Sequence, residues 1–204
     1  IATSGGTPQS APVNTQFATA LQVTVRDAGN NPVSGVTVTF AVPATGASAG
    51  LSSSTATTDA SGVASVTATA NGTVGVYSVT ASISGGATAT FALTNTAGPA
   101  TTIAATGGTP QSVPVFTGFD TLQVTVHDAG NNPVAGVTVT FAAPTTGPSA
   151  VLSSGTATTD ALGVASITAT ANETAGGYDG TASIPGATAT FSLTNRAGEP
   201  AAIT

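Results

Sequence analysis

Apolar and polar residues alternate over most of this chain, most clearly between residues 21 and 40, where the sequence runs LQVTVRDAGNNPVSGVTVTF. Leu21, Val23 and Val25 alternate with Gln22, Thr24 and Arg26, and Val36, Val38 and Phe40 alternate with Thr37 and Thr39. A period of two puts every second side chain on one face, so each run predicts a half-buried strand. Between them Asp27-Ala28-Gly29-Asn30-Asn31-Pro32 gathers residues that accept positive φ, bond their own backbone or fix φ, which predicts a tight connection. The stretch reads as a hairpin around which the rest of the chain is arranged.

The pattern extends in both directions. Residues 1–4, a Gly5-Gly6 break and a second extended piece over 8–13 predict a split edge strand. Residues 43–58 are dominated by Ala, Ser, Thr and Gly with Leu51 as the one evident anchor, so short strands or loop are expected there. After a turn at Asp59-Ala60-Ser61-Gly62, Ala64, Val66, Ala68 and Ala70 point inward. Asn71-Gly72 turns the chain again, and Tyr77, Val79, Ala81 and Ile83 face in. Gly85-Gly86 makes the last turn before Ala87, Ala89, Phe91 and Leu93. About seven strands with closely spaced turns, and no segment of 3.6 period for crossover helices, predict an all-β fold of the antiparallel sandwich type.

The whole pattern occurs twice. Residues 122–141 read LQVTVHDAGNNPVAGVTVTF, and Ile1-Ala2 aligns with Ile103-Ala104 and then with Ile203-Thr204. Two tandem sandwiches are therefore expected: domain 1 over 1–97, a short linker over 98–102, domain 2 over 103–198, and a linker with the start of a third repeat over 199–204. The chain has 25 Gly and 12 Pro in 204 residues, below the level of unstructured low-complexity sequence. It lacks a starting Met and a visible signal peptide, so a longer precursor is expected.

Charge narrows the function classes. The net charge is −6, and Arg26 and Arg196 are the only Lys or Arg residues. Two isolated arginines cannot neutralise a run of phosphates, which argues against nucleic acid or an anionic membrane as partner. No apolar run approaches a membrane span. With no Cys or Met there is no disulfide or thiol chemistry, and with no Lys no Lys–Asn isopeptide crosslink can form. Stability must come from burial and sheet hydrogen bonds.

Three stretches taken together resemble a known family. They are residues 21–40, Thr58-Asp59-Ala60-Ser61-Gly62-Val63-Ala64 and Tyr77-Ser78-Val79-Thr80-Ala81, with counterparts at 122–141, 159–165 and 178–182. This combination is similar to the bacterial immunoglobulin-like domains of invasin and intimin type, often called Big-1. The resemblance implies tandem domains strung into a rigid stalk on a cell surface that holds a separate adhesive tip. The second unit departs from it at Asp179-Gly180, where the first has Ser78-Val79.

The residues that could carry chemistry favour structural roles. His127 is the single histidine and stands where the first unit has Arg26, which speaks against a triad or a metal site. Asp27, Asp59, Asp128 and Asp160 recur beside Gly and Asn, but one carboxylate per turn is too few for calcium, and each is expected to bond turn N–H groups. Asn71-Gly72-Thr73 and Asn172-Glu173-Thr174 are N-x-T sequons, open to glycosylation in principle and explained equally by turn chemistry. Outward Thr rows reflect β-propensity rather than an ice-binding ladder, because a sandwich twists. Tyr77 and Tyr178 are expected in the core, each with its hydroxyl on a loop carbonyl. No catalytic residue, metal or cofactor is expected.

The expected function is structural and non-catalytic: a semi-rigid stalk segment of a long extracellular bacterial surface protein, an adhesin, whose partners are further copies of the same repeat in the chain. Two alternatives remain. One is a self-assembling extracellular filament, formed by lateral or strand-exchange association of Thr-rich edges that no Lys guards. The other is an accessory module of a secreted polysaccharide-active enzyme, against which the absence of Trp weighs.

Overall fold

A computed structural model describes residues 1–199. It divides into two compact units, Ile1–Ala97 and a second that begins at Gly98. The expected start of a third repeat at Ile203-Thr204 lies outside the described residues. Among those residues no helix is long and apolar enough to cross a membrane.

In the first unit the strands are β1 (Ala2–Gly5), β2 (Gln9–Pro12), β3 (Leu21–Thr24), β4 (Thr37–Ala41), β5 (Ala49–Leu51), β6 (Thr55–Thr57), β7 (Val63–Val66), β8 (Ala68–Ala70), β9 (Gly75–Ile83) and β10 (Thr88–Thr96). One layer has the order β1-β3-β7, the other β2-β10-β9-β4-β6, with a separate β5-β8 pair. The second unit repeats this with β11 (Ala100–Gly107), β12 (Gln111–Pro114), β13 (Leu122–Asp128), β14 (Thr138–Ala142), β15 (Ala150–Leu152), β16 (Thr156–Thr158), β17 (Val164–Ile167), β18 (Ala169–Ala171), β19 (Gly176–Ile184) and β20 (Ala187–Arg196). Its sheets are β11-β13-β17, β12-β20-β19-β14-β16 and β15-β18. Each unit thus has ten hydrogen-bonded segments rather than seven strands, because the first strand is split and several connections form short pairs.

The expected hairpin over 21–40 needs correction. β3 and β4 lie in different sheets, so the stretch crosses from one layer to the other. The turn within it is tight: Asn30 N–H donates to the Asp27 carbonyl at 3.0 Å, Asp27 N–H to the Asn31 carbonyl at 3.0 Å, and Val33 N–H to the Val25 carbonyl at 3.0 Å. The chain then leaves for the other sheet. Alternation fixed an inward face for both strands but carried no mark of which sheet each joins.

The split first strand also changes layer. β1 pairs antiparallel with β3, whereas β2 pairs parallel with β10, so the sandwich is not wholly antiparallel. Gly6 allows the crossing: its φ is +82°, and a Cβ there would stand 2.3 Å from the Ala20 carbonyl oxygen. Any side chain would strike backbone.

Both cores lie between the layers. Leu21, Val23, Val38, Val79, Phe91 and Leu93 are fully buried, and Phe40 stacks on Phe91 with ring centroids 6.2 Å apart. Phe141 and Phe191 repeat the pair at 6.3 Å. Each such side chain contributes about 1.5–3 kcal/mol through burial. Phe17 and Phe119, which the alternation does not single out, are buried as well. One inward assignment fails: Ala87 is exposed because β10 begins only at Thr88. Leu51 packs half-buried against the core, and Ser48, Ala49 and Thr58 are buried beside it in the loose region. The Thr58 hydroxyl explains that burial, donating to the Val33 carbonyl at 2.8 Å and accepting from Val36 N–H at 2.9 Å.

Residues 98–102, expected as linker, belong to the second unit. β11 begins at Ala100 and pairs through Thr102 with His127.

Candidate functional site

The four recurrent aspartates sit in turns and accept backbone N–H groups. Asp59 Oδ1 accepts from Ser61 at 2.8 Å and Val63 at 3.0 Å, and Asp160 Oδ1 accepts from Leu162 at 2.8 Å and Val164 at 3.0 Å. Asp27 Oδ1 accepts from Asn31 N–H at 2.9 Å, while Asn31 Nδ2 reaches both carboxylate oxygens. These bonds, the Asn31 backbone N–H first among them, hold the Asp27 carboxyl below its usual range. Asp128 does more. Its Oδ1 accepts from Gly130 at 2.9 Å and Asn132 at 2.8 Å, and its Oδ2 accepts from Gly98 at 2.9 Å. Burial pushes the Asp128 carboxyl up, but the bonds from Asn132, Gly98 and Gly130 together outweigh it and hold it below its usual value. Among the described residues no three His, Cys, Asp or Glu side chains come close enough to hold a metal ion.

A second constellation lies at one end of each unit. Asn95 is 2% exposed, and its Nδ2 donates to the Ser48 carbonyl at 2.9 Å, Asn71 Oδ1 at 2.9 Å and the Thr73 carbonyl at 3.1 Å. Asn71 Oδ1 also accepts from Ser48 N–H and Thr73 N–H, each at 3.2 Å, and its Nδ2 donates to the Gly46 carbonyl at 2.8 Å. One buried amide therefore ties together the loops around residues 46–48 and 71–73. The second unit builds the same hub from Asn195, Asn172, Ser149, Thr174 and Gly147. Both sequon amides, Asn71 and Asn172, are half-buried and donate to a loop carbonyl, so a glycan on either would have to fit beside that carbonyl.

The units differ at the tyrosine. Tyr77 donates to Asn95 Oδ1 at 3.1 Å, not to a loop carbonyl, whereas Tyr178 OH and Asn195 Oδ1 are both buried without a partner. Burial raises both phenols to about 12. Sequence reasoning missed Asn95 and Asn195. The signal was parity: each continues the inward series of Phe91 and Leu93, or Phe191 and Leu193.

Two further positions stand apart. His127 is half-buried on β13 opposite Thr102, and no hydrogen bond among the described residues joins its ring to a carboxylate or hydroxyl. Phe116 is 72% exposed with φ of +61°, where the first unit has Asn14 at +60°. Asparagine tolerates this left-handed backbone, and a bulky aromatic does not. The arrangement brings together turns, hydrogen-bond hubs and cores.

The family model described as bacterial Ig-like domain (group 1) matches residues 3–96 and 119–199. This chain belongs to that family. Its two group 1 Ig-like domains resemble several solved structures. InvD of Yersinia pseudotuberculosis is 22% identical with a TM-score of 0.63, over 97% of this chain and 57% of that one. The Escherichia coli adhesin FdeC is 22% identical with a TM-score of 0.50, over 97% of this chain and 63% of that one. The D0-D1 domains of intimin are 25% identical with a TM-score of 0.39, over 96% of both chains. The group 1 Ig-like pair thus spans less than two thirds of InvD and of FdeC. No curated protein sequence matches the chain.

Proposed function

We propose that this pair of group 1 Ig-like domains is a non-catalytic spacer in an extracellular bacterial surface protein, a stalk segment that sets the distance between its anchor and its binding end. The observation that carries the reading is the family match in both units of a chain whose units each close their own core. FdeC, which shares the fold, is an adhesin. A sequence in which charged residues make up 5% suits a spacer. The linker supports stiffness: β10 ends at Thr96 and β11 begins at Ala100, which leaves three residues between strands.

The edges of the five-stranded sheets favour a single-chain stalk over a filament. β2 and β12 are four residues long and end in Pro12 and Pro114, and β6 and β16 have three residues. Such short edges, some closed by proline, are poor templates for another chain. Antibodies raised against the 204-residue chain should label intact cells of the source organism, and small-angle scattering should give an elongated particle with one preferred interdomain angle. Labelling only after cell disruption would refute the location, and a broad spread of angles would refute the stalk.

A further inference from the structure

Several differences between the units converge on one small face. Where the first unit has Asn14, Gln16, Ala18, Gly50 and Gly72, the second has Phe116, Gly118, Asp120, Val151 and Glu173. The fold brings the second set together. Gly118 and Val151 flank Thr170 from either side, and Phe116 N–H donates to the Ala171 carbonyl at 3.1 Å while Ala171 N–H donates to that of Thr117 at 2.9 Å. Phe116 is 72% exposed and Val151 70%. Gly118 leaves the floor between them clear, since a Cβ there would meet only the Ala169 carbonyl oxygen, at 3.9 Å. Glu173 springs from beside Phe116, because a Cβ at the matching Gly72 would lie 3.7 Å from Asn14 Oδ1. The matching residues of the first unit, which another unit follows, are exposed as well, so the opening belongs to the unit and not to a chain end.

Phe116 holds this exposed position under strain. Its φ of +61° suits the Asn14 of the first unit and not a bulky aromatic, and a ring that is neither buried nor relaxed points to a partner. Charge narrows which kind. Among the described residues the face carries the carboxylates Glu173 and Asp120, while Arg196 follows the buried Asn195 on β20 and is turned by strand alternation to the outer side of the other layer. We propose that this face of the second unit is a docking site for a basic partner protein, which lays an arginine along the Phe116 ring with its guanidinium toward Glu173 and seats a nearby apolar side chain on Val151. A planar guanidinium stacks on an aromatic face while it bonds a carboxylate at its edge, a geometry that a compact ammonium matches less well. Gly118 and Val151 are two strand spacings apart, about 10 Å, which an arginine and a side chain two residues on can cover. A second copy of this chain is a poorer occupant, since its net charge is also −6 and its Arg26 guanidinium is engaged on the Asn30 carbonyl at 2.7 Å. The inference goes beyond the spacer reading and does not depend on it.

The test titrates the 204-residue chain with the peptide acetyl-Ser-Arg-Thr-Val-Ser-amide and follows backbone amide shifts by NMR, with the first unit as internal control. Saturable shifts in the millimolar range are expected at residues 116–118, 170 and 173 and not at 14–16, 69 and 72. Replacing the peptide arginine by lysine should weaken binding about two- to fivefold, and Glu173→Gln should weaken it by about as much. Phe116→Asn installs the residue with which the first unit folds, so the variant keeps its structure and should lose the shifts. No shift at all, equal shifts in both units, equal affinity for the lysine peptide, or binding that survives Phe116→Asn would overturn the proposal. Shifts of these amides that grow with protein concentration in the absence of peptide would assign the face to a second copy and overturn it too.

Discussion

Removing the same hydroxyl from the two units should have opposite effects. In the first unit, Tyr77→Phe loses a hydrogen bond to Asn95 Oδ1 and leaves that oxygen unpaired at a site where Asn95 is 2% exposed. A lost bond plus a stranded buried acceptor costs about 1–3 kcal/mol. In the second unit no bond is lost, because Tyr178 OH has no partner. Tyr178→Phe removes a buried unpaired hydroxyl, and the unit should gain up to about 1 kcal/mol. The two variants should therefore differ by at least about 1 kcal/mol, roughly fivefold or more in the unfolding constant. Native-state amide exchange at increasing urea reads each unit separately, through the slowest amides of β9 and β10 for the first and of β19 and β20 for the second. Equal destabilisation by the two substitutions would mean that Tyr178 pairs with Asn195 as Tyr77 does with Asn95, and the asymmetry argument would fall.

Other predictions follow from the same comparison of copies. Phe116→Asn places in the second unit the residue that the first unit uses at the same positive φ, and should stabilise it by about 1 kcal/mol by relieving backbone strain; an unchanged melting temperature would contradict this. Gly180 replaces the fully buried Val79, and a Cβ there would meet Ala142 O and Leu193 Cδ1 at 3.7 Å, ordinary contact. Gly180→Ala should add about 0.5–1 kcal/mol to the second unit, checked by urea denaturation, where a loss would show the strand has no room. Burial raises both phenols from 10.0 to about 12, so the native state keeps these protons longer than the unfolded chain does. That stability is complete below pH 10 and is lost as pH rises through about 12. Ultraviolet titration of native protein with a phenolate midpoint at pH 10 would refute it.

Much of this fold was legible because half-buried strands leave a period-two record. Val23, Phe40, Ala64, Val79 and Phe91 sit in phase and are buried as that phase requires. The phase does not name the partner sheet, which is why the stretch over 21–40 reads as a hairpin although β3 and β4 belong to opposite layers. Hydrophobicity also misdirects where polar groups satisfy one another. Thr58 and Asn95 are buried through hydrogen bonds that link residues more than 20 positions apart, and no local pattern encodes such partners. The turn aspartates were readable because their partners lie two to four residues on. The Gly98 bond that sets Asp128 apart from Asp27 spans 30 residues and was not.

The parallel pairing of β2 with β10, four residue pairs from Gln9 with Leu93 to Pro12 with Thr96, has a mechanical consequence. When tension draws the amino end of a unit one way and its carboxyl end the other, these two strands are dragged past each other along their common axis. The hydrogen bonds between them are loaded in shear and must rupture as a group instead of unzipping singly. A protein built from such units would resist stretching at the join of the second half of its split first strand with its last strand, in every copy alike.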